Sequence, residues 1–146
     1  MFMGEYRHSL DSKHRLIIPS RFRDELGESF VVTKGLDGCL YVYTLTQWEC
    51  ICEQLKQLPY TKKAVRQYKR HLMSKASECT LDGQGRFPLP KNLIEISGIE
   101  KKCVVIGADD HIEIWAEDQW VAYDEEAEES FEDAAEALTE LLEHGA

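Results

Sequence analysis

The sequence lacks any long apolar run. Its longest apolar stretches, such as Cys103 to Ile106, fall far short of the roughly 20 residues that a helix needs to cross a bilayer. The first ten residues, MFMGEYRHSL, contain no apolar segment of the kind that an export signal carries. These absences argue against a membrane-spanning or exported protein, and we expect a cytosolic one.

Cysteine is too sparse for a disulfide framework. There are five, an odd number. Two of them lie in apolar patterns, at Cys39 and Cys103, and two in a helical pattern, at Cys50 and Cys52, so we expect reduced, mostly buried thiols. Residues two apart point to different faces of a helix, which argues against a metal site at Cys50 and Cys52. The sequence therefore predicts no metal, no cofactor and no catalytic residue, because metal-ligand spacing is also lacking at His8, His14, His71 and His111.

Positive charge is scarce overall but unevenly distributed. The net charge is -10. Residues 1–75 contain 13 Lys and Arg against 8 Asp and Glu, a balance of +5, whereas residues 76–146 contain 4 against 19, a balance of -15. A partner-binding face for a polyanion is therefore expected in the first half of the chain.

One stretch occurs twice. Leu10 to Pro19 is LDSKHRLIIP and Leu81 to Pro90 is LDGQGRFPLP, so that both copies hold a DxxxR motif. Further on, Phe30 to Thr33 aligns with Lys102 to Val105. The shared Gly-x-Asp and Gln-Trp positions are Gly35 with Gly107, Asp37 with Asp109, and Gln47-Trp48 with Gln119-Trp120. A module of little over forty residues buries too little surface to be stable alone, so we predict two copies closing one core about a pseudo-two-fold axis.

The local patterns predict an α+β protein. Short strands flank each DxxxR loop, and Ser20 to Leu26 is predicted as a helix with Ser20 as N-cap and Gly27 as its end. A second helix is predicted to start at Thr46 as N-cap and to end before Pro59. The predicted divisions are a first module at 5–48, a helical connector at 49–75, a second module at 76–120, and an acidic C-terminal helix with an apolar stripe at 121–146.

The motif loops have a structural and a functional interpretation. An Asp carboxylate can accept hydrogen bonds from backbone N–H groups just ahead of it, and Gly83 and Gly85 can supply positive φ. For Asp11 and Asp82 we favour a pairing with the motif arginines that shapes the loop.

Basic residues of the connector, from Lys62 to Arg70, suit either a solvated helix face or contact with a polyanion. Trp48 and Trp120, at matching helix starts, are predicted to be core residues rather than stacking platforms.

The doubled motif, the Gln-Trp end of each module and the two-helix connector resemble the MraZ family of bacterial transcriptional regulators, related to AbrB-type swapped-hairpin proteins. One departure is His14, where the family's first motif usually carries Gly. The resemblance implies two tandem AbrB-like modules in one β-barrel, in a protein of the cytoplasm and nucleoid whose protomers assemble into rings. It also implies binding to short tandem G-rich repeats upstream of the division and cell-wall gene cluster, including the protein's own gene, usually as a repressor.

Within that resemblance, Arg15 and Arg86 match the motif arginines and inherit a DNA-contact role. Arg can bond O6 and N7 of guanine together, which suits a G-rich double-stranded target. Lys13 suits a phosphate contact, and Gln84 replaces it in the second copy, so we expect the first module to bind DNA better. The full candidate DNA-binding set is Arg15, Arg86, Lys13, His14 and Gln84, and the loop-structuring set is Asp11, Asp82, Gly83 and Gly85.

Two other functions stay open at this point. Twin aspartates in a pseudo-symmetric barrel have a faint likeness to acid proteases, although an Arg four residues from each Asp would keep both carboxylates ionised. The second alternative is an interaction protein such as an AbrB-like antitoxin, whose acidic helix would occupy a basic partner.

Overall fold

The computed structural model describes residues 1–144, and these form an α+β fold of eight strands and six helices, which confirms the predicted class. The strands are β1 (Phe2–Ser9), β2 (Arg15–Ile17), β3 (Ser29–Lys34), β4 (Leu40–Thr44), β5 (Ser77–Thr80), β6 (Arg86–Pro88), β7 (Lys102–Asp109) and β8 (Ile112–Ala116). The helices are α1 (Ser20–Leu26), α2 (Leu45–Lys56), α3 (Lys63–Lys75), α4 (Lys91–Ser97), α5 (Glu117–Glu129) and α6 (Phe131–His144).

The larger sheet is built by an exchange of strands between the two copies. Its order is β1-β7-β8-β4-β3-β5, and each neighbouring pair is antiparallel. The first strand of the first copy, β1, pairs with β7 of the second copy, while β5 of the second copy pairs with β3 of the first. The two hairpins meet where β4 pairs with β8. Neither copy therefore completes its own sheet.

The two copies also share the hydrophobic core. Leu16 and Phe87, at the same position in the two motifs, are both fully buried, and so is Ile18. The Phe30 ring of the first copy meets the Phe87 ring of the second edge to face, with centroids 5.0 Å apart. Because one cluster contains side chains from both copies, removal of either copy would expose the core of the other.

Strand pairing corrects the alignment of the two copies. Phe30 pairs with Cys79 and Cys103 pairs with His8, and His8 and Cys79 lie at equal distances ahead of their motifs. Phe30 is therefore equivalent to Cys103, and the alignment of Phe30 with Lys102 is wrong by one residue. The cause is loop length, since two residues connect α1 to β3 and four connect α4 to β7. Phe30 and Cys103 are buried, whereas Lys102 is exposed.

Two predicted N-caps are also wrong. The α2 cap is Thr44, whose side-chain oxygen accepts a hydrogen bond from the Gln47 N–H at 3.0 Å, so Thr46 already lies inside the helix. Helix α1 starts at Ser20 itself, after Pro19, and no side-chain bond caps it. In both cases the residue with extended backbone geometry just ahead of the helix occupies the cap position.

The acidic C-terminal region forms two helices where one was predicted. Helix α5 starts at Glu117, and the helix is interrupted at Ser130, whose hydroxyl donates to the Glu126 carbonyl at 3.0 Å. Such a bond back to the preceding turn competes with regular helix geometry. The last two positions of the predicted helix at 121–146 lie outside the described residues. None of the helices in residues 1–144 has the length and apolarity to cross a bilayer.

The shared core generates a stability prediction. Leu16→Ala removes a fully buried side chain at the contact between the copies, and we expect it to lower the free energy of unfolding by about 2–5 kcal/mol in a single cooperative transition. Chemical denaturation at fixed protein concentration measures this, and Leu36→Ala, at a position 64% exposed, is the control. Two separate transitions would contradict a shared core.

Candidate nucleic-acid interface

The two DxxxR loops lie side by side because β2 and β6 pair antiparallel. In that pairing Arg15 lies opposite Pro88, and Ile17 lies opposite Arg86. Two more backbone bonds extend it, from the Ile18 N–H to the Gly85 carbonyl at 2.9 Å and from the Leu89 N–H to the His14 carbonyl at 3.0 Å. The two bonds are equivalent to each other, because Ile18 corresponds to Leu89 and Gly85 to His14 in the repeat, so each loop is fixed against the other.

Each motif Asp closes its own loop. The Asp11 Oδ1 accepts hydrogen bonds from the backbone N–H groups of Lys13 and Arg15, both at 2.9 Å, and Oδ2 accepts from the Arg15 Nε at 2.7 Å. In the second loop, Asp82 accepts from the Gln84 N–H at 2.9 Å and from the Arg86 N–H and Nε, both at 3.0 Å. The four-residue spacing of the motif thus lets one carboxylate hold both the turn and the guanidinium.

These bonds lower the pKa of both aspartates. The pKa of Asp11 falls from 3.8 to about 2, chiefly because its carboxylate accepts the Arg15 backbone N–H, with the Arg15 side chain adding to the effect. The pKa of Asp82 is lowered for the same leading reason, the Arg86 backbone N–H. Both groups are therefore anions at neutral pH. A catalytic aspartate pair that shares a proton needs the opposite shift in one of its members.

The motif arginines are oriented by these carboxylates without being enclosed by them. The side chains of Arg15 and Arg86 are each 28% exposed. Each uses Nε for its own Asp, and the Nη1 of Arg86 also lies 4.0 Å from the Asp11 Oδ2 of the other loop. Among the hydrogen bonds within residues 1–144, none uses a terminal nitrogen of either guanidinium. Both side chains are therefore partly open to solvent, and their terminal nitrogens are free of hydrogen bonds within the described residues.

The other predicted DNA-binding side chains are also exposed. Lys13, His14 and Gln84 are all exposed, on the outer turns of the two loops. His14 has φ 58°, and Gly85, its equivalent, has φ 75°. Each loop therefore contains one residue in the left-handed conformation, directly before the motif Arg. His14 adopts that conformation with a side chain, which places an imidazole where the second loop has none.

Only one of the two predicted loop glycines needs to be glycine. Gly83 does not adopt positive φ, and a Cβ atom there would meet nothing within 4 Å, so the prediction that it shapes the loop through positive φ is wrong. At Gly85 a Cβ atom would overlap the Arg23 guanidinium. The difference arises because the left-handed residue is the one just before the motif Arg.

Arg23 is a further cation at this surface that sequence reasoning did not identify. It lies on α1, its Nε donates to the Ile18 carbonyl at 2.8 Å, and its guanidinium packs against Gly85 of the other loop. The equivalent residue of the second copy is Ile94, so the internal repeat gave no signal for it. The half-buried Arg23 links the two loops across the copies.

Two cations of the connector contact an aromatic ring. Lys69 and Arg70 lie over the Tyr60 ring, at 5.6 and 5.7 Å from its centroid.

Trp48 and Trp120 are half-buried, so the prediction that they are core residues is wrong in degree. Each lies in the first turn of a helix, Trp48 in α2 and Trp120 in α5.

The cysteines divide into two groups. Cys39, Cys79 and Cys103 are buried, and burial raises the pKa of the Cys103 thiol to about 12, whereas Cys50 is exposed and Cys52 is half-buried. Within residues 1–144, no three side chains of His, Cys, Asp or Glu cluster as a metal site would require.

The loop geometry predicts different effects for two glycine substitutions. Gly85→Ala should lower the free energy of unfolding by about 1–3 kcal/mol, because alanine is strained at φ 75° and its Cβ meets Arg23. Gly83→Ala should change it by less than about 0.5 kcal/mol. Thermal or chemical denaturation of the pair measures both, and equal effects would contradict the loop geometry.

The Asp11 carboxyl should titrate near pH 2. Its folded-state pKa lies below the ordinary 3.8, so its stabilising contribution is present above that value and is lost as the pH falls toward 2. In Arg15→Ala the pKa should rise but stay below 3.8, because the backbone N–H at position 15 remains. NMR titration of the carboxyl carbon measures this, and an unshifted pKa in the parent protein would refute the bonding scheme.

Comparison with known proteins places this pair of loops in a family. The family described as "MraZ protein, putative antitoxin-like" matches the chain twice, at residues 1–71 and 72–142, so each match contains one DxxxR loop. Similar curated proteins include three named "Transcriptional regulator MraZ". That of Ligilactobacillus salivarius is 51% identical over 97% of this chain and 99% of its own length. Those of Natranaerobius thermophilus and Pelotomaculum thermopropionicum are 48% and 50% identical, over 97% of this chain and 99% and 97% of their own lengths. The chain therefore belongs to the MraZ family.

Proposed function

We propose that this protein is a transcriptional regulator that binds double-stranded DNA in a sequence-specific manner as an oligomer. Its relatives are named as transcriptional regulators. The proposed target is a set of short tandem G-rich repeats upstream of the division and cell-wall gene cluster, including the protein's own gene, and the proposed effect is repression. The site of action would be the cytoplasm and nucleoid.

The observation that carries the proposal is the pair of arginine forks at the loop surface. Arg15 and Arg86 each bond their own Asp through Nε, which fixes the direction of the side chain, while the Arg86 Nη1 also lies 4.0 Å from the Asp11 Oδ2. Within residues 1–144, no terminal nitrogen of either guanidinium makes a hydrogen bond. A planar guanidinium held in this way can donate to O6 and N7 of one guanine, a pairing that gives about 1–3 kcal/mol of discrimination. Little side-chain entropy is then lost on binding, because the rotamer is already selected.

The remaining loop residues would add affinity rather than sequence information. Exposed Lys13 is placed to neutralise a phosphate, and His14 and Gln84 are placed to donate hydrogen bonds to the backbone or to base edges. The second copy has Gln84 where the first has Lys13. The first loop should therefore make the larger contribution to binding.

Assembly would supply the affinity that one protomer lacks. The net charge of -10 repels DNA as a whole, so a single pair of loops should bind weakly at physiological salt. A ring of protomers would present many loop pairs at once and would select DNA whose repeats match their spacing. Within the protomer we propose that the modules at 5–48 and 76–120 close one barrel about a pseudo-two-fold axis. The reciprocal bonds of Ile18 and Leu89 support this arrangement.

An antitoxin-like interaction protein is the second candidate, because the family description contains that word and α6 is acidic and exposed. In this case a basic partner protein would occupy α6 and repeated DNA would not be retained. An acid-protease function has less support, since both motif aspartates are anions with lowered pKa values. We propose that the protein is not an enzyme.

The proposal predicts the loss of specific binding in Arg15→Ala. Affinity for a duplex from upstream of the protein's own gene should fall about tenfold or more for each arginine that reads guanine. Arg86→Ala should have a smaller effect than Arg15→Ala. A gel shift across a salt series, on duplexes with intact and scrambled repeats, measures both affinity and specificity.

Arg21→Ala is the matched control, since it removes the same charge from an exposed position on α1. It should weaken all duplexes slightly and equally. If Arg15→Ala and the parent protein retain repeated DNA equally well, the site assignment is wrong.

A further inference from the structure

Arg23 lies against the second motif loop although it belongs to the first copy. It is on α1, and its Nε donates to the Ile18 carbonyl at 2.8 Å. Its guanidinium covers Gly85, which is buried, whereas His14, the equivalent of Gly85 in the first loop, is exposed. The charge of Arg23 is therefore held beside the residue that directly precedes Arg86.

The terminal nitrogens of Arg23 have no partner in the described part of the chain, where its one hydrogen bond is that of Nε. Arg23 lines an open cavity of about 310 Å³ together with Gly85 and Asp82 of the second loop. Asp82 is already paired with the Arg86 Nε at 3.0 Å. Glu28, the other acid of the lining, is exposed, so solvent screens its charge. The unused donors of Arg23 can therefore bond an anion from outside the chain.

The loop that Arg23 reaches is the loop that lacks a lysine. The first loop holds exposed Lys13, and the second has the uncharged Gln84 at that position. The equivalent of Arg23 in the second copy is Ile94, which packs against the hydrophobic core. The two copies thus differ at both positions, and Arg23 supplies the second loop with a cation that its own sequence does not contain.

A purely structural role for Arg23 explains less of this arrangement. Ile94 shows that an apolar side chain suits the same position of the equivalent helix. A guanidinium that only covered Gly85 would be half-buried without a carboxylate to offset the loss of solvation. Phosphate oxygens would accept from its terminal nitrogens in charge-assisted bonds and recover that cost.

We propose that Arg23 donates to a phosphate of the bound DNA beside the second loop, in the role that Lys13 has at the first loop. The inference rests on the DNA binding proposed above and adds a contact outside the two motifs. A phosphate contact adds affinity and fixes the register of the loop on the duplex, but it carries no base information. The first loop keeps the larger share of binding, because His14 adds a donor where the second loop has Gly85.

Arg23→Gln tests the contact, because it removes the charge and keeps a side chain that can donate to the Ile18 carbonyl. For each protomer bound to a duplex from upstream of the protein's own gene, affinity should fall about fivefold near physiological salt, and the slope of log K against log salt should become shallower by about 0.9. The ratio of affinities for intact and scrambled repeats should stay unchanged. Arg21→Gln, at an exposed position of the same helix, is the matched control and should change the slope much less.

Gln84→Lys should rescue the Arg23→Gln variant. Lysine at position 84 gives the second loop a cation where the first loop has Lys13, so the double variant should recover the salt slope of the parent protein. Thermal unfolding followed by circular dichroism checks that each variant keeps the fold. If Arg23→Gln keeps the parent's slope and instead loses discrimination between intact and scrambled repeats, Arg23 only positions the loop and the inference is overturned.

Duplexes in which one phosphate at a time is replaced by a neutral methylphosphonate locate the contact. At one backbone position the replacement should weaken binding of the parent protein and leave binding of Arg23→Gln unchanged, because that variant has already lost the same bond. An equal effect on both proteins at every position would refute the contact.

The outcomes separate this inference from the proposed function. If the parent protein prefers intact repeats and Arg23→Gln matches it in affinity and slope, the function stands and the contact is wrong. If the parent binds intact and scrambled duplexes alike while Arg23→Gln still flattens the slope, the contact stands and sequence-specific binding is wrong. If the parent binds no DNA, both are wrong.

Discussion

The antiparallel pairing of β2 with β6 is the constraint on which the candidate site depends. It brings together two loops that lie seventy-one positions apart in the sequence, as Arg15 and Arg86 show. The buried Leu16 and Phe87 side chains lie beneath the same pairing. Stability and site geometry are thus two results of one contact, and a change that loosens the core also moves the arginines.

The sequence predicts the fold class and the repeat well because both follow from short-range patterns. Alternating apolar residues and turn residues predict strands and loops, and Gly27 does end its helix, at φ 84°. It does not predict the alignment of Phe30 with Cys103, because that depends on how many residues a loop needs. The break at Ser130 was missed for a similar reason, since serine is common inside helices and only its bond to Glu126 marks the interruption.

The candidate site was predicted in its parts and missed in its arrangement. The spacing of Asp11 and Arg15 suffices to predict a carboxylate beside a guanidinium, and the bonds between them have that form. No feature of the sequence pointed to Arg23, which reaches Gly85 only because α1 of the first copy packs beside the loop of the second. Contacts between copies of this kind depend on tertiary packing and leave no periodic signal.

The exchange of first strands has a consequence for how the two halves can differ. A protein with one such module per chain would have to complete its sheet with a second chain, so its folding would depend on protein concentration and its two loops would be identical. Here the covalent link removes that dependence. It also releases the halves from identity, so that one loop can hold Lys13 and His14 while its counterpart holds Gln84 and Gly85. The two loops can therefore carry different side chains on one fold, which the loops of a homodimer of single modules could not.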